Sequence, residues 1–298
     1  MTSHIRAIFF DIDRTLYEHS RDYVPPSSLA AIAALKARGI IPAIATGRGY
    51  CALPPAIDRL VEDGDIELVV ASNGQYNRYG ERVLSAHPIA KDDIESLTRA
   101  FRIHDWEYTY VSATHMAAGR SRGSSHKILK NYPCYTVDPD YYRTHDVEQL
   151  VVLTPVAQES ALQSILAAHG GRYKTVRSHA GAVDLLHTEG SKARGIHEAC
   201  AVLDIDPKDT LAFGDGLNDV EMFAAVGAGI AMGDACPELK AVARHITGTL
   251  EEDGVAVALR ELGVPAAYLN STLTAQEAAT VESQVRRGEL KLLYVAPE

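Results

Sequence analysis

Ile5-Arg-Ala-Ile-Phe-Phe-Asp-Ile-Asp-Arg-Thr15 is the stretch that decides the fold. Its first six residues are rich in isoleucine and phenylalanine and read as a strand, which then runs directly into two aspartates. Outward from it, Ser27 or Ser28 suits the cap of a helix reaching Lys36, with Gly39 as its stop. A second strand follows at Ile40 to Ala45. A helix starting near Pro54 and Pro55 covers the region Cys51 to Glu62, and Leu68 to Ser72 is a third strand, apolar on both faces. The rhythm β-α-β-α-β predicts an α/β chain with a parallel, Rossmann-like sheet.

From about Val83 the pattern changes. A helix near Asp92 to Phe101, strands at Tyr108 to Val111 and Gln149 to Thr154, a helix over Ala157 to His169, and strands near Tyr173 to Arg177 and Ala182 to His187 describe an α+β unit. Its strands are more polar and richer in tyrosine, as in a sheet with one solvated face. After Gly190 the first rhythm returns, with a helix to Leu203, a strand at Thr210 to Phe213, a helix from Asn218, a strand at Gly229 to Met232 and a helix from Pro237. One domain interrupted by another is expected: 1–82 and 184–263 as a discontinuous core, 83–183 as an insertion, and 264–298 as a remainder too short for a domain of its own.

The composition agrees. The chain has 298 residues, 46% hydrophobic and 23% charged, which excludes disordered and fibrous classes. Its apolar runs are strand-sized and far short of the roughly 20 residues that cross a bilayer. Met1-Thr-Ser-His-Ile-Arg enters the first strand with no signal-peptide core, so a cytoplasmic protein is expected. Twenty-nine basic against thirty-nine acidic residues give a net charge of -10, which argues against nucleic acid or an anionic membrane as partner. Cys51, Cys134, Cys200 and Cys236 form no CxxC pair and read as reduced thiols, and the twelve histidines make no HExxH cluster.

Three polar groups fall where strands of the predicted sheet end, the edge at which open α/β sheets bind ligands. They are Asp11-Ile12-Asp13-Arg14-Thr15, Thr46-Gly47-Arg48 and Gly214-Asp215-Gly216-Leu217-Asn218-Asp219. Four carboxylates at one edge call for a hard divalent cation, and Mg²⁺ suits one or two carboxylates completed by phosphate oxygens and waters. Asp11 and Asp13, two residues apart, would point the same way on a regular strand, so one is placed to attack while the other handles a proton. Lys192, at the helix start Gly190-Ser-Lys, adds a fixed positive charge for a phosphoryl group.

In these motifs the sequence resembles the haloacid dehalogenase superfamily phosphatases, of the Cof-type subfamily with a type IIB (C2) cap. DxDxT appears as Asp11, Asp13 and Thr15, the second motif as Thr46, the third as Lys192, and the fourth as Gly214, Asp215, Asn218 and Asp219. Ser72-Asn73-Gly74, Ile230-Ala231-Met232-Gly233 and Glu252-Asp253-Gly254-Val255-Ala256 match as well. The resemblance implies Asp11 as nucleophile forming an aspartyl-phosphate and Asp13 as general acid and base. It implies Thr46, Gly47, Lys192 and Asn218 as phosphate-binding residues. Asp11, Asp13 through its backbone carbonyl, Asp215 and Asp219 would make up the Mg²⁺ site. The implied substrate is a small phosphorylated metabolite, a sugar phosphate or a phosphorylated cofactor; a phosphosugar mutase is the rival within the superfamily. Arg14 departs from the pattern, since many members carry glycine there, and a bulky cation would alter the neighbouring flap or meet the substrate.

Within the insertion, the basic stretch from Gly119 to Lys127 suits either a solvated loop or a second anion contact, and Tyr108 and Tyr110 either pack the sheet or stack on a ring. Residues 264–298 resemble a fragment of RecQ-type DNA helicases, reading as a strand, a helix opened by the capping box Thr274-Ala-Gln-Glu277, and a strand ending at Val295. The chain lacks a G-x-x-x-x-G-K-[ST] loop, and this tail has three basic residues against four acidic ones. A helicase-like DNA-binding accessory protein is therefore the rival of a different class.

Overall fold

Strand β1 (Ala7–Phe10) is buried along its whole length, so it needs a neighbour on each side and a layer on each face. In the computed structural model, which describes residues 5–263 apart from 122, 124–126, 128, 131 and 180, together with 267–269 and 293–295, it has both. β1 lies in an eight-stranded sheet between β2 (Ile41–Ala45) and β12 (Thr210–Gly214). Beyond β2 come β3 (Leu68–Ala71), β4 (Tyr76–Tyr79) and β5 (Arg82–Ala86). Beyond β12 lie β13 (Ala228–Ala231) and β14 (His245–Ile246). All pairings from β14 to β3 are parallel, whereas β4 and β5 are antiparallel. The chain leaves β1 toward β2 on one side and returns as β12 on the other. That reversal places a crevice at the ends of β1 and β12.

Helices supply the other layers. α1 (Pro26–Ala37) and α2 (Pro55–Glu62) follow β1 and β2. α1 starts at Pro26 with no side-chain cap, so the expected serine cap is corrected: proline at the first helical position needs no N–H there, and the Ser27 hydroxyl instead donates to Asp253, 2.5 Å away. The hairpin β4–β5 is also absent from the sequence expectation; Tyr76-Asn-Arg-Tyr79 carries no buried apolar face to announce it.

A second sheet has six strands in the order β10, β11, β9, β6, β7, β8. They are β6 (Glu107–Val111), β7 (Met116–Arg120), β8 (Tyr135–Val137), β9 (Gln149–Leu153), β10 (Tyr173–His179) and β11 (Ala182–His187). Helices α3 (Lys91–Ile103) and α4 (Glu159–Ala167) cover one face, where Tyr108 and Tyr110 pack with Phe101, Trp106, Leu150 and Leu162. The tyrosines are core residues, not a ring-stacking platform. The alternate positions Thr109, Val111, Gln149 and Val151 line a cavity, so the polar face of this sheet looks into a cavity instead of open solvent. Strand pairing puts 82–86 in the large sheet and 182–187 in the small one; the chain therefore changes sheets a few residues later than 83 and 184.

The remaining helices are α5 (Lys192–Leu203), α6 (Val220–Ala224), α7 (Pro237–Val242) and α8 (Gly254–Glu261). In the tail, β15 (Ala267–Leu269) and β16 (Leu293–Val295) pair in parallel, at the two places where strands are expected. The expected helix between them lies outside the described residues, as do Arg122 and His126 of the basic stretch. Among the described residues, no helix is long and apolar enough to cross a membrane.

The two passages between sheets are tied by side chains. Gln75 Nε2 donates to the carbonyls of His87 (3.0 Å) and Glu148 (3.3 Å), while Arg194 donates to Gln75 Oε1 at 2.5 Å. Glu148 itself is 4% exposed, and its Oε2 has no hydrogen-bond partner. Burial, aided by Asp146, pushes its carboxyl up from the ordinary 4.5 to about 7. The folded state therefore binds this proton more tightly than the unfolded chain. Its contribution favours folding most below pH 4.5 and is lost as the pH rises through about 7, a difference of up to about 3 kcal/mol. In Glu148→Gln, chemical denaturation across pH 4.5 to 8 should show a smaller loss of stability than in the unsubstituted protein; an identical pH profile would contradict this.

Candidate active site

The ends of β1 and β12 are brought into line by their register, Phe10 opposite Phe213, and Asp11 N–H continues the ladder by donating to the Phe213 carbonyl at 3.0 Å. Asp11 thus lies beside Gly214 and Asp215. Lys192 enters from the first turn of α5, whose N-cap Ser191 accepts the Arg194 N–H. Its side chain is 0% exposed, and Nζ sits 2.5 Å from Asp11 Oδ1 and 2.6 Å from Asp219 Oδ1. Burial works against the ammonium charge, but the two carboxylates outweigh it and hold Lys192 above its usual range. Burial in turn raises Asp11 to about 7 although Lys192 pulls the other way, and raises Asp215 to about 6 with Asp219 contributing.

Asp219 is fully committed. Oδ1 meets Lys192, and Oδ2 accepts the N–H groups of Asp215 (3.0 Å) and Gly216 (2.9 Å). The carboxylate lies so close to the end of β12 that a Cβ on Gly214 would come within 2.5 Å of it, so only glycine fits there. Asp11, Asp215 and Asp219 have ligand oxygens within 4.8 Å of one another, the one such group among the described residues. Hard oxygen donors at this density fit a divalent cation. Of the three, Asp219 is the one whose two oxygens both accept hydrogen bonds from buried donors.

Asp13 is placed differently from the expectation of two carboxylates aligned by a strand. The strand stops at Phe10, and residues 12–17 form a tight loop in which the Ile12 carbonyl accepts the N–H groups of Thr15, Leu16 and Tyr17. Asp13 still lines the cavity, but its carboxylate, 46% exposed, is gripped at both oxygens by Arg48, at 2.8 and 2.7 Å. It stands outside the carboxylate group, so only its backbone carbonyl remains for the implied metal role. Arg48 also donates to Tyr132 at 3.4 Å, linking the large sheet's loop to the inserted unit. The sequence contained one signal for this, a guanidinium two residues after Thr46, but pattern alone assigns it no partner.

Thr46 is buried at the end of β2, with Oγ1 accepting the Arg48 N–H at 3.1 Å. Gly47 faces the Asn73 side chain, whose buried Nδ2 has no partner. Thr46, Gly47, Asn73 and Asn218 all line one cavity of about 540 Å³ with Asp11, Asp13 and Asp215. Its roof comes from the six-stranded sheet, with Thr109, Gln149, Arg177 and Asp184 among Val111, Met116, Val151 and Leu153. Lys192 and Asp219 lie buried beneath it, behind Asp11.

A Rossmann-like sheet with an aspartate at the end of a central strand, a buried lysine bridging two carboxylates and a roofed cavity is the architecture of a hydrolase-type α/β enzyme. The haloacid dehalogenase-like hydrolase family model matches residues 8–259, and the chain belongs to that family. YkrA of Bacillus subtilis (strain 168), which bears a provisional phosphatase name, is 32% identical over 269 residues, covering 87% of this chain and 98% of that protein. A solved hypothetical protein of Geobacillus kaustophilus HTA426 is 32% identical with a TM-score of 0.77, covering 87% of this chain and 99% of that one. The subclass IIB sugar phosphatase BT4131 is 25% identical with a TM-score of 0.76 over 87% of this chain and 99% of its own. The chain is thus a phosphatase-type hydrolase with the subclass IIB fold. These matches do not bear out the helicase resemblance of residues 264–298.

Asp219→Ala would leave Lys192 with one counter-charge and orphan two amides. A loss of about 3–5 kcal/mol in unfolding free energy is expected from chemical denaturation. A change below about 1 kcal/mol would show that Asp219 does not carry this burden.

Proposed function

We propose that this enzyme is a Mg²⁺-dependent phosphatase of small hydroxylated metabolites, sugar phosphates foremost, working through a phosphorylated Asp11. The observation that carries the reading is the buried Lys192 bridging Asp11 and Asp219 at the floor of the roofed cavity. A carboxylate held this way is oriented by a fixed charge and keeps its outer oxygen for attack.

In this reading Asp11 attacks phosphorus, forming an oxygen–phosphorus bond as the ester bond to the leaving alcohol breaks. The alcohol takes a proton from Asp13. Asp13 then accepts a proton from water as that water cleaves the aspartyl-phosphate, releasing inorganic phosphate and restoring Asp11. Arg48 occupies both Asp13 oxygens, so it must release Asp13 before that carboxyl donates a proton, and the incoming phosphate is the natural alternative partner for its guanidinium. Lys192, Thr46, the Gly47 backbone and Asn218 would hold the phosphoryl oxygens. Asp11, the Asp13 backbone carbonyl and Asp215 would hold Mg²⁺, which supplies charge neutralisation for the transferring group, while Asp219 positions Lys192 and the Asp215 loop.

The roof supports a hydroxylated leaving group. Gln149 is 2% exposed, lines the cavity, and its Oε1 has no hydrogen-bond partner. A buried acceptor of this kind favours a substrate that brings an O–H to it and penalises one that does not. The cavity volume accommodates a sugar phosphate, and the likeness to BT4131 points the same way.

Phosphate release over a panel of sugar phosphates, pyridoxal phosphate and flavin mononucleotide, with Mg²⁺ present, should give the highest kcat/KM for a sugar phosphate. Excess EDTA should abolish the signal. Asp11→Asn should lower turnover by at least about 10⁴-fold while circular dichroism stays unchanged; retained turnover would sink the mechanism, and accumulation of an isomerised sugar phosphate in place of free phosphate would mark a mutase. Gln149→Leu should cut kcat/KM for hydroxylated substrates by about 10- to 100-fold and leave a simple aryl phosphate nearly untouched. Equal losses on both would remove Gln149 from the specificity argument.

A further inference from the structure

Arg14 occupies a left-handed backbone position, φ 61°, which glycine adopts freely and arginine only at a cost. The side chain therefore has to recover what the backbone loses. Its Nη1 lies 3.2 Å from Asp215 Oδ2, and its Nη2 lies 2.5 Å from Asp234 Oδ2 and 3.4 Å from the Asp234 carbonyl. Asp234 sits in the loop after β13, and that loop is itself fastened to the site because Cys236 N–H donates to the Asp215 carbonyl at 2.9 Å. Arg14 does not line the large cavity. It borders a smaller one of about 150 Å³ with Tyr17, Glu18, Asp234 and Glu251, and Asp13 lines both.

We propose that the Arg14–Asp234 pair sets the affinity of Asp215 for its divalent cation, with Arg14 acting as a positioning residue that shares the carboxylate with the metal. The inference rests on the Mg²⁺ reading above. A guanidinium on one Asp215 oxygen competes with a cation for the same negative charge, and Asp234 moderates that competition by drawing the other arm of Arg14 away. Arg14 is 61% exposed, so solvent screens the effect to a modest size.

Isothermal titration of Mg²⁺ into the full chain tests this without any turnover. Arg14→Gly, which suits the backbone and should fold normally, is expected to bind Mg²⁺ about 3- to 10-fold more tightly, and Arg14→Lys, which keeps the charge, to stay closer to the parent. Asp234→Asn should weaken binding about 3- to 10-fold, because Arg14 then rests on Asp215 alone. In an Arg14→Gly background the same Asp234→Asn change should alter affinity less than about twofold. Unchanged or weaker binding in Arg14→Gly overturns the proposal, as does an Asp234→Asn effect that persists without Arg14. If the parent binds no Mg²⁺ and Asp215→Asn changes nothing, the cation reading itself fails and takes this inference with it; parent binding with an unaffected Arg14→Gly defeats the inference alone.

Discussion

A single ammonium group, Lys192 Nζ, holds the site together. It is wholly buried, and a buried charge of this kind persists only when partnered closely on more than one side. Its two partners come from distant parts of the chain, Asp11 at the end of β1 and Asp219 in the turn after β12. Satisfying it requires β1 beside β12 in register, α5 beginning behind them, and glycine at 214 so that the Asp219 carboxylate can press against the strand end. The parallel sheet and the chemistry share one constraint. A slip of either strand would leave a charge without a partner, costing far more than the loss of any single surface contact.

Over that floor lies the roof supplied by the six-stranded sheet. The same strand alternation that buries Tyr108 and Tyr110 against α3 and α4 presents Thr109 and Val111 to the cavity. A sheet packed on one side by helices can therefore change its cavity face without losing its own core. Arg48 connects the two levels, holding Asp13 with one edge of its guanidinium and Tyr132 of the inserted unit with another. Gln75 performs the structural counterpart at the crossings, where it accepts from Arg194 and donates to the carbonyls of His87 in the first crossing and of Glu148 in the inserted unit.

Much of this was legible before any coordinate. Long apolar strands separated by helix-period segments have few alternative folds, and the motifs at Asp11, Thr46, Lys192 and Asp215 sit at strand or helix ends, where a one-dimensional pattern is most readable. The β4–β5 hairpin was not, because half-polar strands at a sheet edge carry little periodic signal. The serine cap of α1 failed since Pro26 starts that helix by itself and Ser27 serves Asp253 instead. The orientation of Asp13 could not be predicted from two-residue spacing either: that rule belongs to strands, and the strand ends one residue before Asp11.

The sequence by itself determined the α/β class, the interruption of one parallel sheet by an α+β segment, and which polar residues gather at one edge of that sheet, because burial periodicity and chemically scarce residue types are both written locally. Only the tertiary structure decided how those residues divide the work. Whether a carboxylate faces a lysine or an arginine depends on partners well outside its own element, 181 residues away for Asp11 and Lys192 and 35 for Asp13 and Arg48. Arg14 shows the difference most plainly: in the chain it is one arginine beside two aspartates, and in the fold it is a strained backbone position held between Asp215 and Asp234.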